Sequence, residues 1–444
     1  MSSSQAAVVA RTKWVSTRRA SPPVPFIDAL FAGTAPDGGL YFPERFEPLP
    51  ATTLDHLRSA DLVTIGTTVG THLLTGDISE QGMGALVRDA LDFPIPLVQV
   101  TDRIWALELF HGPTLAFKDV GARTQARLLH HFTDGTPLTI LVATSGDTGS
   151  AVAQAFYQVP DSRVFVLYPA GQVSDVQEAQ MAALGGNITA VAVGGTFDDC
   201  QRLVKQAFAD DELRKKVWLT PANSINLGRL LPQAFYYFLV AQLGPAKAGH
   251  HDRNLIVSVP SGNFGNLTAG LIAKRLGLGV RRFVAATNVN DVVPEYLRTG
   301  IYDPRPSVRT VANAMDVGAP SNFERIRALY DDDLDRMRSD VIGAAFPDST
   351  VVAEIGRVSR EHGYLLDPHG AIAWLGLQQA LATDADAIGV FLATAHPAKF
   401  REVVEPAIGR AVPLPATLAE ALARPRHSES LSVSYPALVE LILR

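Results

Sequence analysis

Lys118 is the only lysine in the run Phe110-His-Gly-Pro-Thr-Leu-Ala-Phe-Lys-Asp119, which is otherwise uncharged until Asp119. Residues 104–109 read as a short strand, and the apolar spacing over 119–132 predicts a helix. Lys118 therefore falls just before a helix N-terminus, with Asp119 as the expected N-cap. The positive end of the helix dipole and the apolar neighbours both disfavour an ammonium there. A lysine of lowered pKa is nucleophilic and can form a Schiff base with an aldehyde. From this stretch alone, a surface lysine snorkelling at a helix start is the plainer explanation.

Four further loops carry groups suited to binding. In Ala143-Thr-Ser-Gly-Asp-Thr-Gly-Ser150, small hydroxyl residues and glycines lie between a predicted strand and a helix. Exposed backbone N–H groups there would cradle a carboxylate or phosphate. The loop lacks the Gly-Lys-Ser/Thr of a P-loop, which excludes a nucleoside triphosphate. In Ser258-Val-Pro-Ser-Gly-Asn-Phe-Gly-Asn266, Gly262 and Gly265 permit the close backbone approach a phosphate needs. The spacing is not that of a dinucleotide fingerprint, which also counts against a dehydrogenase. In Phe391-Leu-Ala-Thr-Ala-His-Pro-Ala-Lys399, Thr394 ends a strand and Pro397 opens a helix. In Ala222-Asn-Ser-Ile-Asn-Leu-Gly-Arg229, Asn223, Ser224 and Arg229 offer donors ahead of an apolar helix expected over 230–239. Each of these loops, taken alone, also reads as an ordinary turn or capped helix.

The elements around these loops set the architecture. Strands are expected at 138–143, 164–167, 188–193, 217–219, 255–259, 283–286 and 387–392, with helices between most of them. That alternation predicts an α/β fold with mainly parallel sheets. The 444 residues exceed one ordinary core, so two or three domains are expected. Residues 1–95 read as an N-terminal domain. The single cysteine, Cys200, excludes an internal disulfide and a cysteine-built metal site; it reads as a buried structural thiol in a reducing compartment. A net charge of −6 gives no reason to expect nucleic acid. No uncharged apolar run is long enough to cross a bilayer. His250 and His251 sit in a polar loop and are read as solvated, so no metal site is expected. His111, His369 and His396 are left without a role.

Taken in order, these pieces resemble the pyridoxal-phosphate enzymes of the tryptophan-synthase-β fold, and within them the threonine synthase family of the shorter bacterial and fungal type. The resemblance runs from about Ser16 to about Val403. It is carried by Ser16-Thr-Arg18, Asp37-Gly-Gly-Leu-Tyr41, the Lys118 run, Ala143 to Gly149, Ala222-Asn-Ser-Ile-Asn226, Val259 to Gly265, Ala285 to Asp291, Asn313-Ala-Met-Asp-Val317, and Gly389 with Thr394 to Phe400.

The resemblance implies two open parallel-sheet α/β domains of the fold type II kind, with an extra N-terminal domain. The large cofactor-binding domain would comprise 96–125 and 220–444, with 126–219 as a small inserted domain closing over substrate. It implies pyridoxal 5'-phosphate bound as a Schiff base to Lys118. Gly262, Asn263, Phe264, Gly265 and Asn266 would hold the cofactor phosphate, although many relatives have aspartate at 266. Thr394 would face the pyridine nitrogen, and Asp147 stands where the wider fold has an asparagine near the ring oxygen. Thr144, Ser145, Gly146 and Thr148 would grip the substrate carboxylate; Asn223, Ser224 and Arg229 would hold its phosphate. The implied reaction turns O-phospho-L-homoserine and water into L-threonine and phosphate, in the cytoplasm, by a monomer or weak homodimer. The alternative is a phospholyase or dehydratase of a related amino acid. The match at Ser16 also weakens a transit-peptide reading of the Ser/Arg-rich start.

Overall fold

The computed structural model describes residues 11–144, 146–243 and 254–444. Ser145 and the loop with His250 and His251 lie outside the described residues. Among the described residues thirteen strands form three sheets: β1 (Trp14–Ser16), β2 (Tyr41–Pro43), β3 (Leu97–Thr101), β4 (Ile104–Glu108), β5 (Leu138–Ala143), β6 (Ser162–Pro169), β7 (Ile188–Val193), β8 (Trp218–Pro221), β9 (Leu255–Pro260), β10 (Arg282–Thr287), β11 (Val341–Ala345), β12 (Ile388–Ala393) and β13 (Ser428–Leu431). β1 and β2 pair antiparallel in the N-terminal part.

The larger sheet has the order β11-β10-β9-β12-β4-β3 and is parallel except for β3. The smaller has the order β13-β7-β6-β5-β8 and is parallel throughout. Continuous apolar runs such as Leu-Ile-Val-Ser-Val-Pro in β9 are buried along their whole length, as parallel strands covered on both faces must be. In the larger sheet the chain order runs outward from β9 to β11, while β12 and β4 lie on the other side of β9. In the smaller sheet it runs outward from β5 to β7, with β8 on the other side. Each sheet thus has a topological switch point, where loops at the strand carboxyl ends splay apart into a crevice.

Several elements differ from the sequence expectation. The helix expected over 230–239 is interrupted. A turn at Leu227–Leu230 gives way to Gln233–Tyr237 and then to a 3₁₀ stretch, Phe238–Leu243, because Pro232 has no N–H to donate. Asp119 is not the N-cap: Phe117 occupies that position in the helix Lys118–Thr133. Instead the Asp119 carboxylate turns back to accept from the Thr114 N–H at 2.8 Å and the Thr114 hydroxyl at 2.5 Å. The C-terminal segment does not all join the larger sheet. β13 pairs with β7, and the following helix, Tyr435–Leu443, buries Leu438 and Ile442 beside Cys200 and Leu203. Cys200 is buried, and desolvation pushes its thiol up to about 11.

Arg325 locks the N-terminal part onto the rest. It is fully buried, and its guanidinium donates to the Tyr41 carbonyl at 2.9 Å, the Asn322 side chain at 2.6 Å and the Ile225 carbonyl at 2.5 Å. Arg325→Met removes the donor from two buried acceptors and one half-buried acceptor, so a loss of about 3 kcal/mol is expected. Urea unfolding reads it; an unchanged midpoint would show that the tie contributes nothing.

Candidate active site

The loops after β4, β9, β12, β5 and β8 carry the predicted site residues. The segment after β4 is stitched to the end of β12. Leu109 N–H donates to Ala393 O at 2.9 Å, Phe117 N–H to Thr394 O at 2.9 Å, and His396 N–H to Leu115 O at 3.0 Å. These bonds set Lys118 beside Thr394. Desolvation lowers Lys118 to about 8; the Asp147 carboxylate opposes this, while Lys399 and Arg229 add to it. The expectation of a nucleophilic lysine thus has its physical cause in burial and neighbouring cations.

Asp147 opens the helix Asp147–Phe156 after β5. Its Oδ1 lies 2.8 Å from Lys399 Nζ in an ion pair with both side chains almost fully buried. Gln177 Nε2 donates to the same oxygen at 3.1 Å. Burial alone would raise this carboxyl, but Lys399 and Lys118 outweigh it and hold Asp147 ionised well below the usual range. Lys399 also donates to Thr114 O at 3.0 Å, as does Gln180 at 3.3 Å. The Thr144 hydroxyl is used within its own turn, accepting from the Gly146 and Gly149 N–H groups, each at 2.9 Å, and donating to Gly146 O at 3.0 Å. Gly146 (φ 150°) passes so close to Gln177 that a Cβ would sit 2.4 Å from it. Thr148, in the first turn of the helix, is half-buried.

The loop after β9 has its tightest contact at Gly262, whose missing Cβ would lie 2.7 Å from Met315 Cα and 2.9 Å from Ala314 O. Phe264 takes a left-handed conformation, φ 62°, at the cap of the helix Gly265–Arg275. The Asn263 side chain bridges two loops: it donates to Ser224 Oγ at 2.7 Å and accepts from Ser321 N–H at 2.6 Å. The Asn266 side-chain oxygen is taken by two tyrosine hydroxyls, Tyr236 at 2.6 Å and Tyr237 at 2.7 Å. An amide accepts both protons there without bringing a charge into the core. Arg229 is buried and donates to Ala222 O at 2.8 Å; burial pulls it down to about 10, so it stays protonated at neutral pH.

Several groups here were not singled out from sequence. Lys399 and Gln177 complete the Asp147 cluster. Glu108, at the end of β4, accepts from the Tyr364 hydroxyl at 3.0 Å and lies 2.7 Å from His111 Nε2. Asp367 sits 2.6 Å from His369 Nδ1, and His396 Nδ1 accepts from Ala398 N–H at 3.1 Å. The motif ending at Lys399 contains the only local sign of that residue; nothing in the sequence links it to Asp147.

The crevice suits a phosphorylated aldehyde. It has a lysine with lowered pKa, a glycine loop pressed against its neighbour, and a helix start with free amides. On the loops and helix starts that carry the site, the buried atoms Asn223 Oδ1, Arg229 Nε and Asn266 Nδ2 find no hydrogen-bond partner among the described residues.

Residues 93–394 match the family described as pyridoxal-phosphate dependent enzyme, and with this fold and crevice they define the chain as one. Residues 13–91 match the threonine synthase N terminus and 371–442 the threonine synthase C-terminal family. Threonine synthase of Escherichia coli K12 is 44% identical over 421 residues, covering 95% of this chain and 96% of the relative. That of Haemophilus influenzae is 46% identical, covering 95% and 97%. The crystal structure of the E. coli protein superposes with a TM-score of 0.90, covering 97% of this chain and 99% of that one. A pyridoxal-phosphate-bound threonine synthase from Brucella melitensis, 37% identical, gives the same TM-score over 97% of this chain and 99% of its own. The chain belongs to the threonine synthase family. Among the described residues no helix is long and apolar enough to cross a membrane.

Proposed function

We propose that this chain converts O-phospho-L-homoserine and water into L-threonine and phosphate, with Lys118 as the cofactor-bearing and proton-transferring residue. The observation that carries this reading is a buried lysine, lowered to about 8, next to a turn that Lys399 ties to Asp147 of the smaller sheet's first helix. Pyridoxal phosphate, when bound, supplies an electron sink for negative charge at the substrate's α and β carbons. The start of the helix Gly265–Arg275, with Gly262, Asn263, Phe264, Gly265 and Asn266, would hold the cofactor phosphate through backbone amides. Thr394 would offer a neutral hydroxyl to the ring nitrogen, and Asp147 would serve near the ring oxygen.

Thr144, Ser145, Gly146 and Thr148 receive the substrate carboxylate, with the Thr144 hydroxyl shaping the turn by holding the Gly146 and Gly149 N–H groups. Asn223, Ser224 and Arg229 steady the substrate phosphate, which leaves with the electrons of the Cγ–O bond. The Lys118 amine takes a proton from the α carbon and one from the β carbon, and returns one to the γ carbon, which becomes a methyl, and one to the α carbon. Water delivers hydroxyl to the β carbon. The smaller sheet moves over the substrate to exclude water until that step. The single cysteine fits a reducing cytoplasm, and the net charge of −6 gives no electrostatic reason for a nucleic-acid partner.

Incubating the purified holoenzyme with O-phospho-L-homoserine tests this reading. Threonine and phosphate in equal amounts are expected. Formation of 2-oxobutyrate and ammonia instead would identify a phospholyase.

A further inference from the structure

We infer that Lys399 is a positioning residue for Lys118, its buried ammonium holding the Asp147 carboxylate in an ion pair across the two sheets so that Asp147 does not pair with the Lys118 amine. The inference rests on the reading that Lys118 carries the cofactor.

Lys399 lies in the short turn Pro397–Phe400 that follows β12 in the larger sheet. Its Nζ reaches Asp147 Oδ1 at 2.8 Å, at the first helical residue after β5 in the smaller sheet. It also reaches Thr114 O at 3.0 Å, in the turn that leads to Lys118. One ammonium therefore joins both sheets and the lysine-bearing turn, with the pair's side chains only 1% and 3% exposed. A buried ion pair is weak support for stability, because apolar residues of the same volume commonly serve as well. Its place beside a nucleophilic lysine gives it another use.

The charges that face Lys118 make the sign plain. Asp147 favours a proton on Lys118, while Lys399 and Arg229 disfavour one. Asp119, the next residue, is buried and turned to Thr114. His396, on the segment that carries Lys399, is lowered first by burial and so adds no positive charge at neutral pH. Without Lys399, Asp147 would face Lys118 as an uncompensated buried carboxylate and hold the amine as an ammonium, which cannot attack a carbonyl.

The test is the pH midpoint at which the full-length chain, stripped of cofactor, captures added pyridoxal phosphate, followed by absorbance and fixed with borohydride. Lys399→Met should raise the midpoint by about one pH unit or more, and Asp147→Asn should lower it. The double variant Lys399→Met/Asp147→Asn should return near the parent value, and Lys399→Arg should keep it. A residue that merely supports the fold would not move the midpoint in opposite directions for the two partners. Should Lys399→Met fail to fold, the comparison remains between Asp147→Asn and the double variant, whose midpoint must be the higher. Equal midpoints in that comparison, or single variants that shift alike or not at all, overturn the inference. Peptide mapping of the reduced parent protein separates the two failures: an adduct on another lysine removes the proposed function, whereas an adduct on Lys118 with unmoved midpoints removes only the role of Lys399.

Discussion

Lys118→Ala is expected to abolish threonine formation, with a loss of at least about 10³-fold in turnover, while the fold survives. On the proposed role, the variant removes both the amine that captures the cofactor and the group that moves protons on the substrate. Alanine is a good helix former at the start of Lys118–Thr133, and the neighbouring bonds from Leu109, Phe117 and His396 to the β12 end are all made by backbone atoms. Asp147 keeps Lys399 and Gln177 as partners, so no lone charge is left behind. Circular dichroism and the urea midpoint should therefore match the parent. Lys118→Arg sharpens the argument. It retains a cation in the same place, but a guanidinium stays protonated and cannot attack an aldehyde, so its loss should be as large. Turnover in either variant at the parent rate would end the assignment of Lys118. In the parent, capture of the cofactor should rise with pH through about 8 and level off above it, because the amine reacts only without its proton.

How much of this was legible in the sequence depends on distance along the chain. The strand–loop–helix units around Ala143, Pro260 and Ala393 were readable because each is local: an apolar run, a loop of small residues, then helical spacing. Lys118 was readable as one charge in an uncharged stretch. Asp119 misled, since an acid at a helix start usually caps it, but here Thr114 returns from the preceding turn to claim the carboxylate. The break at Pro232 was hidden by apolar spacing that continues on both sides of it. β13, Ser-Glu-Ser-Leu, has no strand pattern of its own; it is ordered by β7 and by the apolar helix that follows. Lys399 stood in a quoted motif but carried no local sign of its partner, because its meaning comes from Asp147 in the other sheet. Asn263 and Asn266 show the same limit. Their presence in the glycine loop after β9 was readable, but not that their side chains are committed to Ser224, Ser321 and the Tyr236–Tyr237 pair.

Gly262→Ala is expected to weaken pyridoxal phosphate binding by about 10- to 100-fold while leaving the secondary structure intact. Among the described residues Gly262 is not one of the glycines with positive φ, so it is there for space and not for backbone freedom. The added Cβ would meet Met315 Cα at 2.7 Å, Ala314 O at 2.9 Å and Met315 C at 3.3 Å, all backbone atoms that cannot rotate away. The loop must then back off from the turn Asn313–Met315, and overpacking of this kind costs about 1–3 kcal/mol. That cost falls on the bound geometry, because the cradle works only when its amides converge on one point at the start of the helix Gly265–Arg275. At about 1.4 kcal/mol per tenfold, the loss corresponds to the range stated. Spectral titration of the stripped protein with pyridoxal phosphate measures it directly, and saturating cofactor should restore most of the turnover, which separates this variant from Lys118→Ala. Parent-like affinity in Gly262→Ala would mean that the cofactor phosphate does not rest on this loop.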